Sequence, residues 1–132
     1  MKDRYLFKAK RTDNGEWVEG YLSYPFCTKK GNESYYFYAK DSLGFFCRCV
    51  VYASTICRCT GLKDKNGKLI WENDIVKINN SKVNTVITFR DFEIICTIPN
   101  EKYYKHRLEY DTEYEVIGNI FDNPELLESE EK

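Results

Sequence analysis

The chain has 132 residues, 42% of them hydrophobic and 16% aromatic, enough to pack one domain or two small units and too apolar for a disordered tail. A formal net charge of −1 argues against a general duplex-DNA binder held by a phosphate-seeking surface. No apolar run reaches the length of a membrane span and no basic-then-apolar leader opens the sequence, so a soluble cytoplasmic protein with its six Cys reduced is expected.

Residues 5–11 alternate loosely, Thr12-Asp13-Asn14-Gly15 breaks the pattern, and residues 16–22 resume it. An Asn-Gly step between two such runs predicts a hairpin. Residues 25–34 read as a loop with its turn at Gly31-Asn32. Tyr35-Tyr36-Phe37-Tyr38 predicts a strand with Tyr35 and Phe37 on one face and Tyr36 and Tyr38 on the other. After a turn at residues 41–44, residues 45–52 make another strand, and residues 55–59 are short and extended.

The stretch from Thr60 to Val76 sets turn chemistry beside strand chemistry. Asp64-Lys65-Asn66-Gly67 supplies residues that tolerate positive φ. Leu69, Trp71 and Ile75-Val76 carry strand patterning on either side of a second break at Glu72-Asn73-Asp74. Residues 83–90 and 92–98 are β-branched and bracket Asp91, which predicts either a hairpin or one bent, bulged ribbon. Residues 102–110 are polar with spaced aromatics, and 115–121 look like a closing strand. Asn123-Pro124, as N-cap and first helical position, predicts one short helical turn before a charged end at 128–132. No segment has sustained helical periodicity. The fold class expected is mainly β, a barrel or roll of short strands.

Three blocks together resemble the YopX-like family of phage and prophage proteins. They are Phe7-Lys8-Ala9-Lys10-Arg11 with residues 13–21, residues 60–68 with Glu72, Asp74, Ile75 and Val76, and residues 115–121 running into 123–127. The resemblance implies a mainly β fold whose C-terminal half is an SH3-like barrel, encoded by a phage or mobile element. It carries over no catalytic residues. The organisation expected is an N-terminal β region with the hairpin over 1–59, an SH3-like β-barrel region over 60–127 and a charged tail over 128–132, as one compact unit. Asn73 replaces the glycine usual in the second block; Asn is the next-best residue at φ > 0, so the turn is expected to survive. Arg58-Cys59 stands where the family tends to have Gln-Tyr, which makes the cysteine pattern local to this chain.

Cys47-Arg48-Cys49 and Cys57-Arg58-Cys59 are two C-x-C pairs. Four thiolates suit a tetrahedral zinc, yet i and i+2 on a strand share a face, so two small residues packed toward a core is the simpler reading. Arg48 and Arg58 then point away from their flanking cysteines and together could grip a phosphate or carboxylate, against the plainer alternative of a solvated face. The lone His106 has no nucleophile or orienting partner in its flanks and reads as a surface residue. Glu72 and Asp74 read as structural turn residues. Exposed Tyr beside Arg stacks a base while pairing its phosphate, and equally makes a protein hot spot. The candidate ligand-binding set is therefore Tyr36, Tyr38, Arg48, Arg58, Arg90 and Arg107, with Cys47, Cys49, Cys57 and Cys59 as a weaker metal alternative.

Charge is uneven: residues 1–59 carry ten Lys/Arg against six Asp/Glu (+4), and residues 60–132 ten against fifteen (−5). No nucleophile–base, metal or cofactor constellation emerges, so the expectation is a small binding protein, not an enzyme, with no cofactor. With the phage resemblance, it is expected to counter host defence in the bacterial cytoplasm by sequestering a small nucleotide signal or a host protein. A nucleic-acid-binding SH3-like module is the less favoured alternative. A homo-oligomeric assembly component with paired β edges is the third.

Overall fold

The computed structural model describes residues 6–29, 32–40, 43–101, 103–109 and 111–128. The chain divides into two compact units, Met1–Cys59 and Thr60–Lys132. It is mainly β, with strands in two antiparallel sheets and helix only as short 3-10 turns among the described residues. Neither sheet closes into a barrel.

In the first unit β1 (Phe7–Lys10), β2 (Trp17–Lys29), β3 (Asn32–Lys40), β4 (Phe46–Tyr52) and the start of β5 (Cys57–Lys63) pair in the order β4-β3-β2-β1-β5. The predicted first hairpin is present, with Phe7 opposite Gly20 and Lys10 opposite Trp17. Its turn is fixed by local chemistry. Gly15 takes φ +73° and donates to Arg11 O at 3.0 Å, and Asn14 Oδ1 accepts the Glu16 amide at 2.9 Å. Residues 25–34, read from sequence as a loop, are largely strand: β2 continues to Lys29 and β3 begins at Asn32. The register shifts between Leu22 and Pro25 and again between Phe26 and Lys29, and a proline is tolerated where a ladder is irregular. Gly31 lies outside the described residues, as do Asp41 and Ser42 of the next predicted turn.

The core of this unit is Ala9, Phe37, Ala39 and Val51, with Phe7, Val18, Leu22 and Tyr35 packed around it. Small residues let strands approach here. A Cβ on Gly20 would run into the backbone carbonyl of Tyr38 and the Cα of Ala39. Residues 53–55, expected to be partly extended, form a 3-10 turn. Thr55 locks it, donating to Tyr52 O at 2.8 Å and accepting the Lys10 amide at 2.9 Å.

In the second unit the end of β5 pairs with β6 (Leu69–Trp71), while β7 (Asp74–Ile78), β8 (Thr85–Arg90), β9 (Glu93–Thr97), β10 (His106–Arg107) and β11 (Tyr114–Asn119) form a five-stranded sheet. Its order is β10-β9-β8-β7-β11. Ile70, Val76, Ile87, Cys96 and Tyr114 make the core, and Ile75 beside Val76 is also fully buried. Asn73 adopts φ +73°, as expected for the residue in the glycine position. Its amide donates to Ile87 O at 2.8 Å and its carbonyl accepts the Ile120 amide at 3.1 Å.

Asp64 turns the β5–β6 connection. Its Oδ1 accepts the amides of Asn66 and Lys68, both at 2.9 Å, while Oδ2 accepts the amide of Val116 at 3.0 Å. Lys65 N adds a bond to Tyr114 O at 2.8 Å, so the outer edge of β11 is satisfied by a turn. Burial works to raise the Asp64 pKa, but the three amides outweigh it and hold the carboxyl below its ordinary range.

Residues 83–98 resolve as a hairpin. Arg90 pairs with Glu93, and the two turn residues Asp91 and Phe92 sit at φ +52° and +67°. That is the primed geometry in which Asn-Gly is favoured; a bulky side chain at the second position costs on the order of 1 kcal/mol. The predicted C-terminal turn is a 3-10 turn, Pro124–Leu127. Asn123 does not cap it through its side chain. Its Oδ1 instead accepts the Asn119 amide at 3.2 Å.

Candidate ligand-binding face

Directly paired residues on neighbouring strands share a face. Tyr21 pairs with Tyr38 and Tyr38 with Arg48, so these three project to one side, joined by Tyr36 two residues from Tyr38. Phe37, between the two tyrosines, is fully buried. The alternation predicted for this strand therefore stands, with Tyr36 and Tyr38 on the outer side. Tyr21 and Tyr38 keep 40% and 41% of their surface, and Phe46 keeps 55%. The Arg48 guanidinium carbon lies 4.4 Å from the centre of the Tyr36 ring, a cation–π stack, and the Tyr21 and Phe46 rings are 6.3 Å apart.

The same face continues onto β1 and β2. Lys8 pairs with Glu19 and Lys10 with Trp17, and both ammonium groups approach the indole, at 4.7 and 5.4 Å. Flat rings and cations thus alternate over four strands. The other side of the sheet there is the packed core.

Arg58 does not join this face. It pairs with Phe7, which packs with the core side, and three strands separate β5 from β4 in the sheet order. The expectation that Arg48 and Arg58 grip one anion together is therefore corrected by the strand register. The register also separates the cysteines. Cys47 and Cys49 pair with Ala39 and Phe37 of the core side, whereas Cys57 pairs with Lys8 of the outer side. Cys59, two residues on from Cys57, shares its side. Among the described residues no group of three or more His, Cys, Asp or Glu is placed to hold a metal ion.

Arg90 and Arg107 belong to the second unit. Arg107 bonds Glu93 Oε1 through Nε and Nη2, each at 2.7 Å, and Lys105 reaches Glu93 Oε2 at 3.0 Å. The hydrogen bonds from Lys105 and then Arg107 hold the Glu93 carboxyl below its ordinary range. Arg90 is exposed and lines a shallow cleft with Tyr104 and Pro99. His106, expected at the surface, is half-buried. Its Nε2 lies 3.2 Å from the Tyr114 hydroxyl, which also accepts the Glu109 amide at 2.9 Å. Burial chiefly pushes the Tyr114 phenol up. The pair pins the segment before β11, and the residue opposite His106 on β9 is the fully buried Cys96. Asp74 is buried and accepts the Trp71 amide at 2.8 Å, a turn role.

The thiols differ in environment. Cys47 is exposed; Cys49 is half-buried, and burial pushes its thiol up against the pull of Arg11. Cys96 is fully buried and its thiol is pushed up to about 11, leaving a thiolate fraction on the order of 10⁻³ at pH 8. Brief alkylation at pH 8 followed by peptide mapping is expected to label Cys47 well ahead of Cys96. Equal labelling of the two would contradict the packing described.

Fold and geometry together define a mainly β protein of two open antiparallel sheets, one bearing an aromatic and cationic outer face. A family model described as YopX protein matches residues 6–128, nearly the whole chain. The chain belongs to that family. No curated protein matches it. Among the described residues, no helix is long and apolar enough to cross a membrane.

Proposed function

We propose that this protein binds without catalysis and that its ligand is a nucleotide laid on the outer face of the first sheet. In this reading it acts for a phage or mobile element in the cytoplasm of a bacterial host and withholds a nucleotide signal used in defence. The observation that supports it best is the Arg48–Tyr36 stack beside exposed Tyr38, Tyr21 and Phe46. A base can lie on Tyr38 while the rim of the stacked guanidinium pairs a phosphate. Lys8 and Lys10 place further positive charge on the same side, in a half of the chain that carries +4 by sequence.

Thermal shift against a panel of cyclic mono- and dinucleotides tests the proposal. A ligand at 100 times its Kd is expected to stabilise the protein by about 2.7 kcal/mol. Arg48→Ala and Tyr36→Ala are each expected to weaken binding about tenfold or more, since each removes half of the stack. No stabilisation by any member of the panel would defeat the proposal.

A second reading places a host protein on the same face, favoured by the exposed pair Tyr21 and Phe46, whose rings suit a hot spot. Salt separates this from single-stranded nucleic acid. Polynucleotide affinity falls steeply with ionic strength, whereas an aromatic-anchored protein contact falls little.

A further inference from the structure

Glu19 puts a negative charge in the middle of the cationic outer face of the first sheet. It stands on β2 between Trp17 and Tyr21, two residues from each and so on the same side. It is exposed, and among the described residues no hydrogen bond or ion pair engages its carboxylate. Its cross-strand neighbour Lys8 leans instead over the Trp17 ring, at 4.7 Å. The face thus offers two acceptor oxygens among aromatic rings, with an ammonium donor next to them.

A carboxylate accepts and does not donate, so the base edge that it pairs must present donors only. Guanine does so, with its N1–H beside its N2 amino group. Adenine and cytosine set a ring-nitrogen acceptor next to their amino group, and uracil sets a carbonyl on each side of its single N–H. Each of those brings lone pairs against the Glu19 oxygens. On the other side of guanine's N1–H is the O6 acceptor, which suits the Lys8 ammonium; adenine would turn its amino group toward that cation. The spacing agrees as well. Tyr21 pairs with Tyr38 and Tyr38 with Arg48, so Glu19 and Arg48 are two strands and two residues apart, about 12 Å from the ordinary strand and residue spacings. That is close to the length of a nucleoside monophosphate. Its base edge lies at Glu19, its ring on Tyr21 and Tyr38, and its phosphate at the Arg48–Tyr36 stack. We infer that the base this face selects is guanine, read by Glu19 through N1–H and the N2 amino group and by Lys8 through O6. The inference rests on the nucleotide reading above and adds to it a base and a direction.

Isothermal titration of the full chain at fixed salt is the test, with guanine, adenine and hypoxanthine nucleotides, each as the cyclic mononucleotide and the cyclic dinucleotide. Hypoxanthine keeps N1–H and O6 but lacks the N2 amino group. The guanine form is expected to bind about tenfold or more tighter than the adenine form, as a bidentate pair discriminates between bases, with the hypoxanthine form between them. In Glu19→Gln one acceptor oxygen becomes a donor. The guanine-to-adenine affinity ratio is then expected to fall toward one, while Tm stays at the wild-type value because the side chain is exposed. Adenine nucleotides that bind as tightly as guanine nucleotides, or a Glu19→Gln protein that keeps the wild-type ratio, would overturn the inference and leave the nucleotide reading standing. Binding of none of them would overturn that reading, and the inference with it.

Discussion

Gly20→Ala is expected to destabilise the first unit by about 3 kcal/mol or more, at the severe end of what single substitutions do. The added methyl would meet the backbone of Tyr38 and Ala39, atoms that cannot swing aside as the end of a flexible side chain can. Relief requires β2 and β3 to separate, and that would break the ladder that carries Tyr21, Tyr38 and Arg48 as well as the packing of Phe37. Gly15→Ala is the control. Gly15 has open space around its missing Cβ and is special only in its φ of +73°, so its replacement is expected to cost about 1 kcal/mol. Urea unfolding followed by Trp17 fluorescence in a Trp71→Phe background reads the first unit. Equal costs for the two glycines would show that the strands are not as close as described.

Asp64→Asn is expected to cost the second unit about 2–3 kcal/mol, although the side chain keeps its shape. A carboxylate accepts three amides here; an Asn side chain has one oxygen and a nitrogen that is itself a donor. With its oxygen turned to Asn66 and Lys68, it faces the Val116 N–H with an N–H of its own. Trp71 fluorescence in a Trp17→Phe background reads this unit. The pH dependence has a definite sign. The folded pKa of Asp64 lies below the unfolded value of about 3.9. Its stabilisation is therefore fully present above that pH and lost as pH falls through the depressed folded value. The wild-type second unit should lose stability below about pH 4, and Asp64→Asn should show less of that loss. An unchanged acid limb in the variant would remove Asp64 from this role.

Turn chemistry was the most legible part of the sequence. Asn14-Gly15 and Asn66-Gly67 announce their hairpins because the constraint, a positive φ at a given residue, is written in the residue itself. The same holds for Asn73. What sequence reading missed depends on partners far along the chain. Residues 25–34 contain proline and polar residues and read as a loop, but pairing with β3 keeps most of them extended. Asp64 reads as an ordinary turn residue; its bond to Val116 spans 52 positions and leaves no local mark. Of the candidate site, Tyr36, Tyr38 and Arg48 follow from alternation along strands. Arg58 does not, because its side is fixed by where β5 pairs with β1, and one step of register exchanges the two faces. Tyr114 and His106 meet only once the segment between β10 and β11 folds back.

Placement of β7 beside the last strand bears on how the protein is made. Translation delivers every residue of Met1–Cys59 before the second unit begins, so the first can settle while still near the ribosome. β7 ends at Ile78, but its neighbour β11 is complete only at Asn119. At typical elongation rates the gap lasts roughly 2–8 s. Throughout that interval the apolar Ile75-Val76 run lacks a flank, which makes it the segment for a chaperone, or a neighbouring nascent chain, to find first.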